Sequence, residues 1–250
     1  MKLEKQNSQT VDALIEDLTH WIRHQVKMAG AQGVVLGLSG GLDSSVAAAL
    51  CKKALGDAVC GLILPCHSDP LDESHALLLA QTIDISTETI DLTPVFDVLV
   101  SLLPDARRLS VANLKPRLRM TTLYYFANER GRLVVGSGNK SELQTGYFTK
   151  YGDGGADLLP LGGLLKTEVR RLAGGLDIPP EIIDKPPSAG LWEGQTDEGE
   201  MGISYEELDK ALIALQGSQA QGCDDEVMER VRRMVSRSRH KRTPIPTFEP

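Results

Sequence analysis

The amino-acid sequence predicts an α/β fold with a doubly wound, mostly parallel sheet and flanking helices. Short runs of strand length alternate with segments whose apolar residues recur at helical spacing. The run at 58–64, AVCGLIL, is continuously apolar, as strands are when helices cover both faces of a sheet. The first run ends in a turn rich in glycine and serine, and a helical segment follows at once. In sheets of this class, ligands bind at the carboxyl ends of the strands.

The first half of the chain is expected to supply three strands. Thr10 is predicted to cap a first helix that extends to about Met28. The first strand is predicted at 34–36, and the helix after its turn includes 46–50. The elements that follow are a strand at 58–64, a helix at 72–83, a strand at 87–92 and a short helix from Pro94 to near Leu103.

The second half is expected to complete the sheet and then to change character. A helix at 117–129, ended by Gly131, precedes a fourth strand at 133–135. The polar stretch 188–202 is predicted to be a loop, and an active-site lid and plain disorder are both open readings. The remaining helices are predicted at 166–173, 205–215 and 226–239, the last two at the periphery.

The turn after the first strand, SGGLDS at 39–44, is predicted to bind phosphate. Gly40 and Gly41 allow the backbone to approach a ligand closely and to adopt φ values that other residues rarely take. The helix that follows presents unpaired N–H groups and its positive dipole end to an anion. A glycine- and serine-rich turn without function is the alternative reading.

Side chains of the same turn add donors and one carboxylate. Ser39, Ser44 and Ser45 offer hydroxyl groups, and Asp43 could hold a Mg²⁺ ion beside the phosphates. The turn lacks the lysine of a Walker A loop, and the G-x-G-x-x-G fingerprint of dinucleotide-binding folds is missing. The expected ligand is therefore a phosphate-bearing nucleotide held by a different type of loop.

Length and composition indicate a single domain over 1–250, since 250 residues suit one α/β unit. We expect an N-terminal helix in 1–30, a nucleotide-binding core in 31–175 and a loop and helical C-terminal part in 176–250. The net charge of −7 argues against a general binder of nucleic acid or membrane surfaces. Neither a signal peptide nor a membrane-spanning run is recognisable, and the buried, unpaired thiols expected at Cys51 and Cys60 suit a cytoplasmic protein.

Five stretches of the sequence together resemble one family. The turn resembles the SGGxDS loop of the ATP pyrophosphatases, which cleave ATP between the α and β phosphates and adenylate an oxygen of their substrate. The other four stretches are NLKPRLRMTTLYYFAN, VVGSGNKSEL, GYFTKYGDGGADLLPLGGLLKTEV and KPPSAGLWEGQTDEGEMGISY. From the loop through Tyr205, and again at 240–242, the chain is similar to NAD synthetases. The resemblance implies an adenine nucleotide alpha hydrolase-like, Rossmann-type fold.

The resemblance implies an ATP site around the turn. Asp43 and Glu142 are implied as ligands of Mg²⁺, which usually takes one or two carboxylates besides phosphate oxygens. Lys166 is implied in catalysis, where it could neutralise charge that develops on the phosphates. The residues implied to bind ATP are Gly37, Leu38, Ser39, Gly40, Gly41, Leu42, Asp43, Ser44, Arg119, Ser137, Lys166 and Ser188.

The resemblance also implies a site for deamido-NAD. Asp153 is implied as a catalytic residue near the reacting groups, with glycines after it that permit close approach. Pro116 departs from the small residue expected there, so the start of the helix at 117–129 is expected to differ. Without the resemblance, Tyr124 would be read as core packing. The residues implied to bind deamido-NAD are Arg117, Tyr124, Lys150, Asp157, His240 and Lys241, the last two often from a neighbouring subunit.

The implied reaction is the ATP-dependent amidation of deamido-NAD to NAD by ammonia, with AMP and pyrophosphate as products. Another ATP pyrophosphatase, GMP-synthetase-like or tRNA-modifying, and a nucleotide-binding module without turnover are the alternatives. A homodimer is implied by the family alone, and a separate glutaminase that supplies ammonia stays open. The basic stretch RSRHKR at 237–242 invites a nucleic-acid interpretation, which the overall acidity of the chain disfavours.

Overall fold

The computed structural model describes residues 10–192, 194–217 and 223–249, and a four-stranded parallel sheet lies at its centre. The strands are β1 (Val34–Gly37), β2 (Val59–Ile63), β3 (Ser86–Thr89) and β4 (Leu133–Val135). In β1, Val34 lies opposite Val59 of β2 and Leu133 of β4. The predicted parallel α/β fold is confirmed. Residues 1–9, in which no signal peptide was expected, lie outside the described ranges.

The strand order β3-β2-β1-β4 reverses its direction of growth at β1. β2 and β3 extend the sheet on one side of β1, whereas β4 pairs with its other side. The crevice outside the carboxyl ends of the strands at such a reversal is the usual ligand site of open α/β sheets. The segments that follow β1 and β4 in the sequence both enter this crevice.

Helices cover both faces of the sheet. They are α1 (Val11–Met28), α2 (Leu42–Leu55), α3 (Pro70–Thr82), α4 (Thr93–Ser101), α5 (Arg108–Ala112), α6 (Leu114–Glu129), α7 (Lys140–Thr145), α8 (Lys166–Ala173), α9 (Pro180–Ile183), α10 (Asp197–Met201), α11 (Tyr205–Leu215), α12 (Asp225–Arg237) and α13 (Arg239–Arg242). In the described parts of the chain, no helix is both long and apolar enough to cross a membrane.

The two faces of β1 belong to two different cores. Val34 and Leu36 pack against α1, α2, α3 and α8, whereas Val35 packs on the opposite face with residues of α4 and α6. This division follows from the strand period of two, because successive side chains point to opposite faces. The free thiols of Cys51 and Cys60 are buried in these cores, as predicted.

Several predicted boundaries differ from the structure, and the strand predicted at 87–92 is Ser86–Thr89. α2 begins at Leu42, so Asp43 lies in its first turn and not in the preceding loop. α6 begins at Leu114, three residues before the prediction, because Pro116 is tolerated in a first helical turn where N–H groups have no helical acceptor. The stretch 188–202 is not all loop, since Thr196 caps α10 by accepting a hydrogen bond from the amide of Gly199.

The interpretation of the last two predicted helices as peripheral was wrong. α11 and α12 form a third core, in which Leu208, Leu212 and Val231 are buried. α11 also packs against α7 and α8, the two short helices that begin at the crevice. The C-terminal part is therefore in direct contact with the segments that carry the predicted site residues.

Candidate active site

The turn between β1 and α2 is held in shape by its own hydroxyl groups. The hydroxyls of Ser44 and Ser45 donate to the carbonyl of Gly41 at 2.9 and 2.8 Å. The hydroxyls of Ser39 and Ser44 lie 2.9 Å apart. Because Ser45 is fully buried, its hydroxyl stabilises the start of α2 and is not directed to a ligand. Leu38 and Leu42 are also buried, which leaves only their backbone groups for contact with ATP.

The two glycines of the turn have different constraints. Gly40 has a φ of +71°, and a Cβ placed on it would lie 2.1 Å from the carbonyl oxygen of Asp72. Gly41 has a φ of −99°, which any residue can adopt. The need for an unusual φ that the sequence predicted for both glycines is therefore confined to Gly40.

The centre of the crevice consists of two carboxylates and one ammonium group. Lys166, at the start of α8, is only 4% exposed, and its Nζ forms an ion pair with Asp43. The same Nζ lies 3.8 Å from Oε1 of Glu142. Asp43 follows β1 and Glu142 follows β4, so the strand reversal brings together three of the four residues that the sequence predicted for catalysis or metal binding, Asp153 being the fourth.

Two acidic side chains in this centre share one ammonium, so its net charge depends on whether Glu142 is ionised. Burial and the nearby carboxylate of Asp43 raise the pKa of Glu142 to about 8. Burial opposes the charge of Lys166, but the carboxylates of Asp43 and Glu142 raise its pKa to about 12. Lys166 therefore remains charged at neutral pH, and a further cation would be stabilised here when Glu142 loses its proton.

Asn139 is a member of the centre that the sequence analysis missed. Its Nδ2 donates to Oδ1 of Asp43 at 3.0 Å, and its side-chain oxygen accepts from the amide of Glu142 at 3.0 Å. Glu142 in turn accepts from the amide of Asn139, so the pair forms a capping box at the start of α7. The spacing N-x-x-E in GNKSEL was the available signal.

A buried network of tyrosines and acids, also missed, surrounds the centre. The ring of Tyr205 lies 5.0 Å from Nζ of Lys166, and its hydroxyl donates to Asp197 at 3.0 Å. Tyr147 donates to the other carboxylate oxygen of Asp197 at 3.2 Å. The amide of Asp197 donates to the carbonyl of Pro187 at 3.0 Å, which ties the segment before α10 to this network.

The other residues predicted for ATP surround the same crevice at greater remove. Arg119 donates to the carbonyl of Leu64, just past β2, at 3.0 Å, and to the hydroxyl of Ser68 at 3.0 Å. Ser137 lies two residues past β4. The hydroxyl of Ser188 accepts from the amide of Gly190 at 3.1 Å. The structure thus places the guanidinium of Arg119 at the end of β2 and Ser137 at the end of β4, the two strands that flank β1.

Lys115 was not predicted, yet it is buried beside the segment of Ser188. Its Nζ donates to the carbonyl of Leu191 at 2.9 Å, and burial lowers its pKa. The segment is held a second time by the ion pair of Lys185 with Asp72, the residue against which Gly40 packs. Ser188 therefore lies in a segment that these two lysines hold in place next to the phosphate turn.

The residues predicted for deamido-NAD fall into two groups. In the first, Arg117 donates to the carbonyl of Lys150 at 3.3 Å, and Nζ of Lys150 donates to the carbonyl of His240 at 2.8 Å. Lys241 donates to the carbonyls of Gly146 and Phe148, both at 2.7 Å. This first group joins α6, α13 and the segment after α7.

The second group is a pair beside β4. The hydroxyl of Tyr124 donates to Asp157 at 3.0 Å, and Asp157 also accepts from the amide of Val134 at 2.8 Å. Burial and the Asp157 carboxylate raise the pKa of Tyr124 to about 12. Asp153 lies between the two groups in sequence, and its carboxylate accepts from the amide of Thr149 at 2.9 Å.

The sequence matches the family model described as NAD synthase over residues 14–245. It is 48% identical to the NH(3)-dependent NAD(+) synthetase of Carboxydothermus hydrogenoformans, covering 91% of this chain and 93% of the relative. It is 46% identical to the protein of the same description from Finegoldia magna, covering 94% and 95% of the two chains.

Two solved structures have the same fold over nearly their whole length. The NMN synthetase of Francisella tularensis superimposes with a TM-score of 0.89 at 39% identity, covering 96% of this chain and 99% of that one. The NH3-dependent NAD synthetase of Campylobacter jejuni superimposes with a TM-score of 0.84 at 29% identity, covering 96% and 100%.

Proposed function

Since the chain belongs to the NAD synthase family, we propose that Asp43, Glu142 and Lys166 form the centre at which it catalyses the family's reaction. The chain is an ATP-dependent ligase that amidates deamido-NAD to NAD with ammonia and releases AMP and pyrophosphate. The observation that carries the assignment is the buried ammonium of Lys166 between carboxylates that follow β1 and β4.

The phosphates of ATP bind at the turn 39–41 and the first turn of α2. The first N–H groups of a helix have no helical acceptor, and the helix dipole favours an anion at this end. Gly40 lets the turn pack against the carbonyl of Asp72, which fixes the backbone before ATP arrives. Preorganised donors of this kind stabilise a departing pyrophosphate without further rearrangement.

Asp43 and Glu142 are suited to hold Mg²⁺. No group of three or more potential ligand side chains is found among the described residues, but Mg²⁺ needs only one or two carboxylates when phosphates complete its shell. The ammonium of Lys166 already lies between both carboxylates, where a cation is favoured. When bound, the ion would neutralise charge on the pyrophosphate group.

Lys166 stabilises the negative charge that develops as the carboxylate of the nicotinic acid ring attacks the α-phosphorus. Its position is fixed by Asp43 and by the ring of Tyr205, so little rearrangement is needed during the reaction. Ammonia then attacks the adenylated carbonyl. No side-chain nucleophile is required, because the substrate carboxylate and ammonia are themselves the nucleophiles. Holding the reactants together in one crevice supplies much of the rate enhancement.

The deamido-NAD site consists of the two groups around α6. Arg117, Lys150 and Lys241 supply positive charge for the phosphates of the dinucleotide, and Tyr124 with Asp157 supplies an aromatic ring and a hydrogen-bond acceptor. Asp153, in the segment between Lys150 and Asp157, is assigned to the vicinity of the reacting carbonyl.

Radiolabelled ATP tests the assignment. The wild-type chain should release pyrophosphate only when deamido-NAD is present, and AMP when ammonia is added as well, whereas a binding module would release neither. Asp43→Asn should keep the fold and lose roughly 10²–10³ in turnover, the usual cost of one transition-state charge contact. A variant that turns over within threefold of the wild type at saturating Mg²⁺ would remove Asp43 from the centre.

A second candidate substrate follows from the likeness to the NMN synthetase of Francisella tularensis. The acid whose amidation gives NMN is nicotinic acid mononucleotide, which contains the same reacting carboxylate without the adenylate half. We propose that the chain also accepts this mononucleotide, and a comparison of kcat/KM for the two acids tests it. Turnover of deamido-NAD alone would reject this second candidate and leave the first intact.

We also propose that the chain forms a homodimer through α4 and α5. Val95, Val98 and Leu102 lie on one side of α4 and are 55%, 61% and 77% exposed, and Leu109 on α5 is 52% exposed. Contiguous exposed apolar side chains of this kind mark association surfaces. Val98→Asp combined with Leu102→Asp should give a monomer by light scattering, and a monomeric wild type would contradict the proposal.

A further inference from the structure

Helix α11 carries two buried polar side chains on the side that faces the active site, although its sequence predicted a peripheral helix. Tyr205 and Asp209 are four residues apart, so they lie on the same face of the helix. They are 3% and 2% exposed, although α11 is otherwise packed by apolar residues such as Leu208 and Leu212. Tyr205 contacts the centre directly, whereas Asp209 lies one helical turn further along.

Asp209 accepts three hydrogen bonds from two other helices. The hydroxyl of Ser141 on α7 donates to Oδ1. The amide and the hydroxyl of Thr167 on α8 donate to Oδ2 at 2.9 and 2.8 Å. The hydroxyl oxygen of Ser141 also accepts from the amide of Lys166 at 3.0 Å, which closes the connection between the two helices.

The two partners of Asp209 are sequence neighbours of the proposed catalytic residues. Ser141 immediately precedes Glu142, and Thr167 immediately follows Lys166. The segment 146–165 separates α7 from α8, so the backbone alone does not set the distance between Glu142 and Lys166. A carboxylate bonded to both helix starts does set it, and bonds to a charged acceptor are stronger than bonds between neutral groups.

We propose that Asp209 is a positioning residue for the amidation reaction, which holds Glu142 and Lys166 in register through Ser141 and Thr167. The proposal rests on the assignment of Glu142 and Lys166 to the reacting centre. Asp209 touches neither of these side chains, so its effect on the reaction is indirect. Residues that orient the groups in direct contact with a metal or a substrate typically change activity or metal affinity about 10–100-fold when they are replaced.

Asp209→Asn is the direct test. An asparagine keeps the size of the side chain, but one of its two terminal groups is an NH2 donor. Facing Thr167, this group opposes the amide donor of Thr167; facing Ser141, it leaves Thr167 with a neutral acceptor in place of a carboxylate, which weakens both bonds. We expect kcat to fall about 10–100-fold and the Mg²⁺ concentration for half-maximal activity to rise. The KM for deamido-NAD should change little, because the residues proposed to bind it lie on other elements.

Leu212→Ala is the matched control. Leu212 is buried on the same helix but makes none of the polar contacts of Asp209, so its truncation destabilises the third core and removes no hydrogen bond to Ser141 or Thr167. Both variants are assayed below their unfolding temperatures, after thermal melts have shown how much each is destabilised. We expect Leu212→Ala to retain kcat and the Mg²⁺ requirement of the wild type.

Thr167→Val keeps the test valid if Asp209→Asn does not fold. It removes one of the three hydrogen bonds and leaves the backbone bond in place, so a smaller loss of kcat with a raised Mg²⁺ requirement is expected. The proposal would be overturned if a folded Asp209→Asn variant had the kcat of the wild type. If Asp209→Asn does not fold, the same result in Thr167→Val would overturn it. An equal loss in Leu212→Ala at equal destabilisation would do the same. If Glu142→Gln and Lys166→Met are themselves fully active, the assignment of the centre fails instead.

Discussion

Lys166→Met removes the ammonium from the centre and keeps the aliphatic stem. The ion pair with Asp43 is buried, and deletion of one member of a buried pair costs about 3–5 kcal/mol because the other charge is left unpaired. At neutral pH the loss should be nearer to the lower figure, since Glu142, whose pKa is about 8, is already mostly protonated and only the Asp43 carboxylate is left unpaired. For a chain of this size, a loss of this range lowers Tm by roughly 6–20 °C.

Differential scanning calorimetry with and without Mg²⁺ measures this loss. In the variant, Mg²⁺ is the only remaining cation for two carboxylates, so it should raise Tm more than it does in the wild type. Lys52→Met is the control, because Lys52 pairs with the fully exposed Asp57 and such pairs contribute little. Turnover should fall roughly 10²–10³-fold only in Lys166→Met. A variant with wild-type Tm and turnover would refute the view that Lys166 balances this centre.

Three further predictions concern the turn, the metal and the dinucleotide. Gly40→Ala should lose both stability and ATP affinity, since its Cβ would meet the carbonyl of Asp72. Gly41→Ala should remain folded, so any fall in its ATP affinity, measured by titration calorimetry, shows how closely residue 41 approaches the phosphates. Below pH 8 the raised pKa keeps Glu142 protonated, so Mg²⁺ should bind more tightly as pH rises towards 8.5, and Glu142→Gln should abolish this dependence. Arg117→Ala should raise the KM for deamido-NAD roughly tenfold and leave that for ATP unchanged; impaired ATP use alone would show that the dinucleotide site is misplaced.

Local signals predicted the sheet and the ends of its helices well. The apolar run at 133–135 is β4 without a change of boundary, and Thr10 caps α1 as its hydroxyl chemistry suggested. The strand-to-helix turn was recognised because two glycines, several serines and one aspartate leave little other use for such a segment. Short-range patterns of this kind are stabilised by contacts within a few residues, so they can be read from the sequence.

Contacts between distant residues explain what could not be predicted. The helical pattern of α11 gave no indication that Asp209 would meet Ser141 and Thr167, because a buried acid in an amphipathic helix is usually taken for an exposed one. Lys115 was passed over for the same reason, since its acceptor at Leu191 lies far away in the sequence. Charged residues inside a fold become recognisable only when the elements that supply their partners have been placed.

The two edges of the sheet differ in how they prevent further strands from adding. The outer side of β4 is already engaged, because Val134 and Gly136 exchange backbone hydrogen bonds with Asp157 and Leu158. β3, at the other edge, is only four residues long. All four of its residues are polar, and the charge of Glu88 discourages pairing with a further strand. Edge-to-edge aggregation is therefore disfavoured, and a second copy of the chain would have to associate through helices and not by extending the sheet.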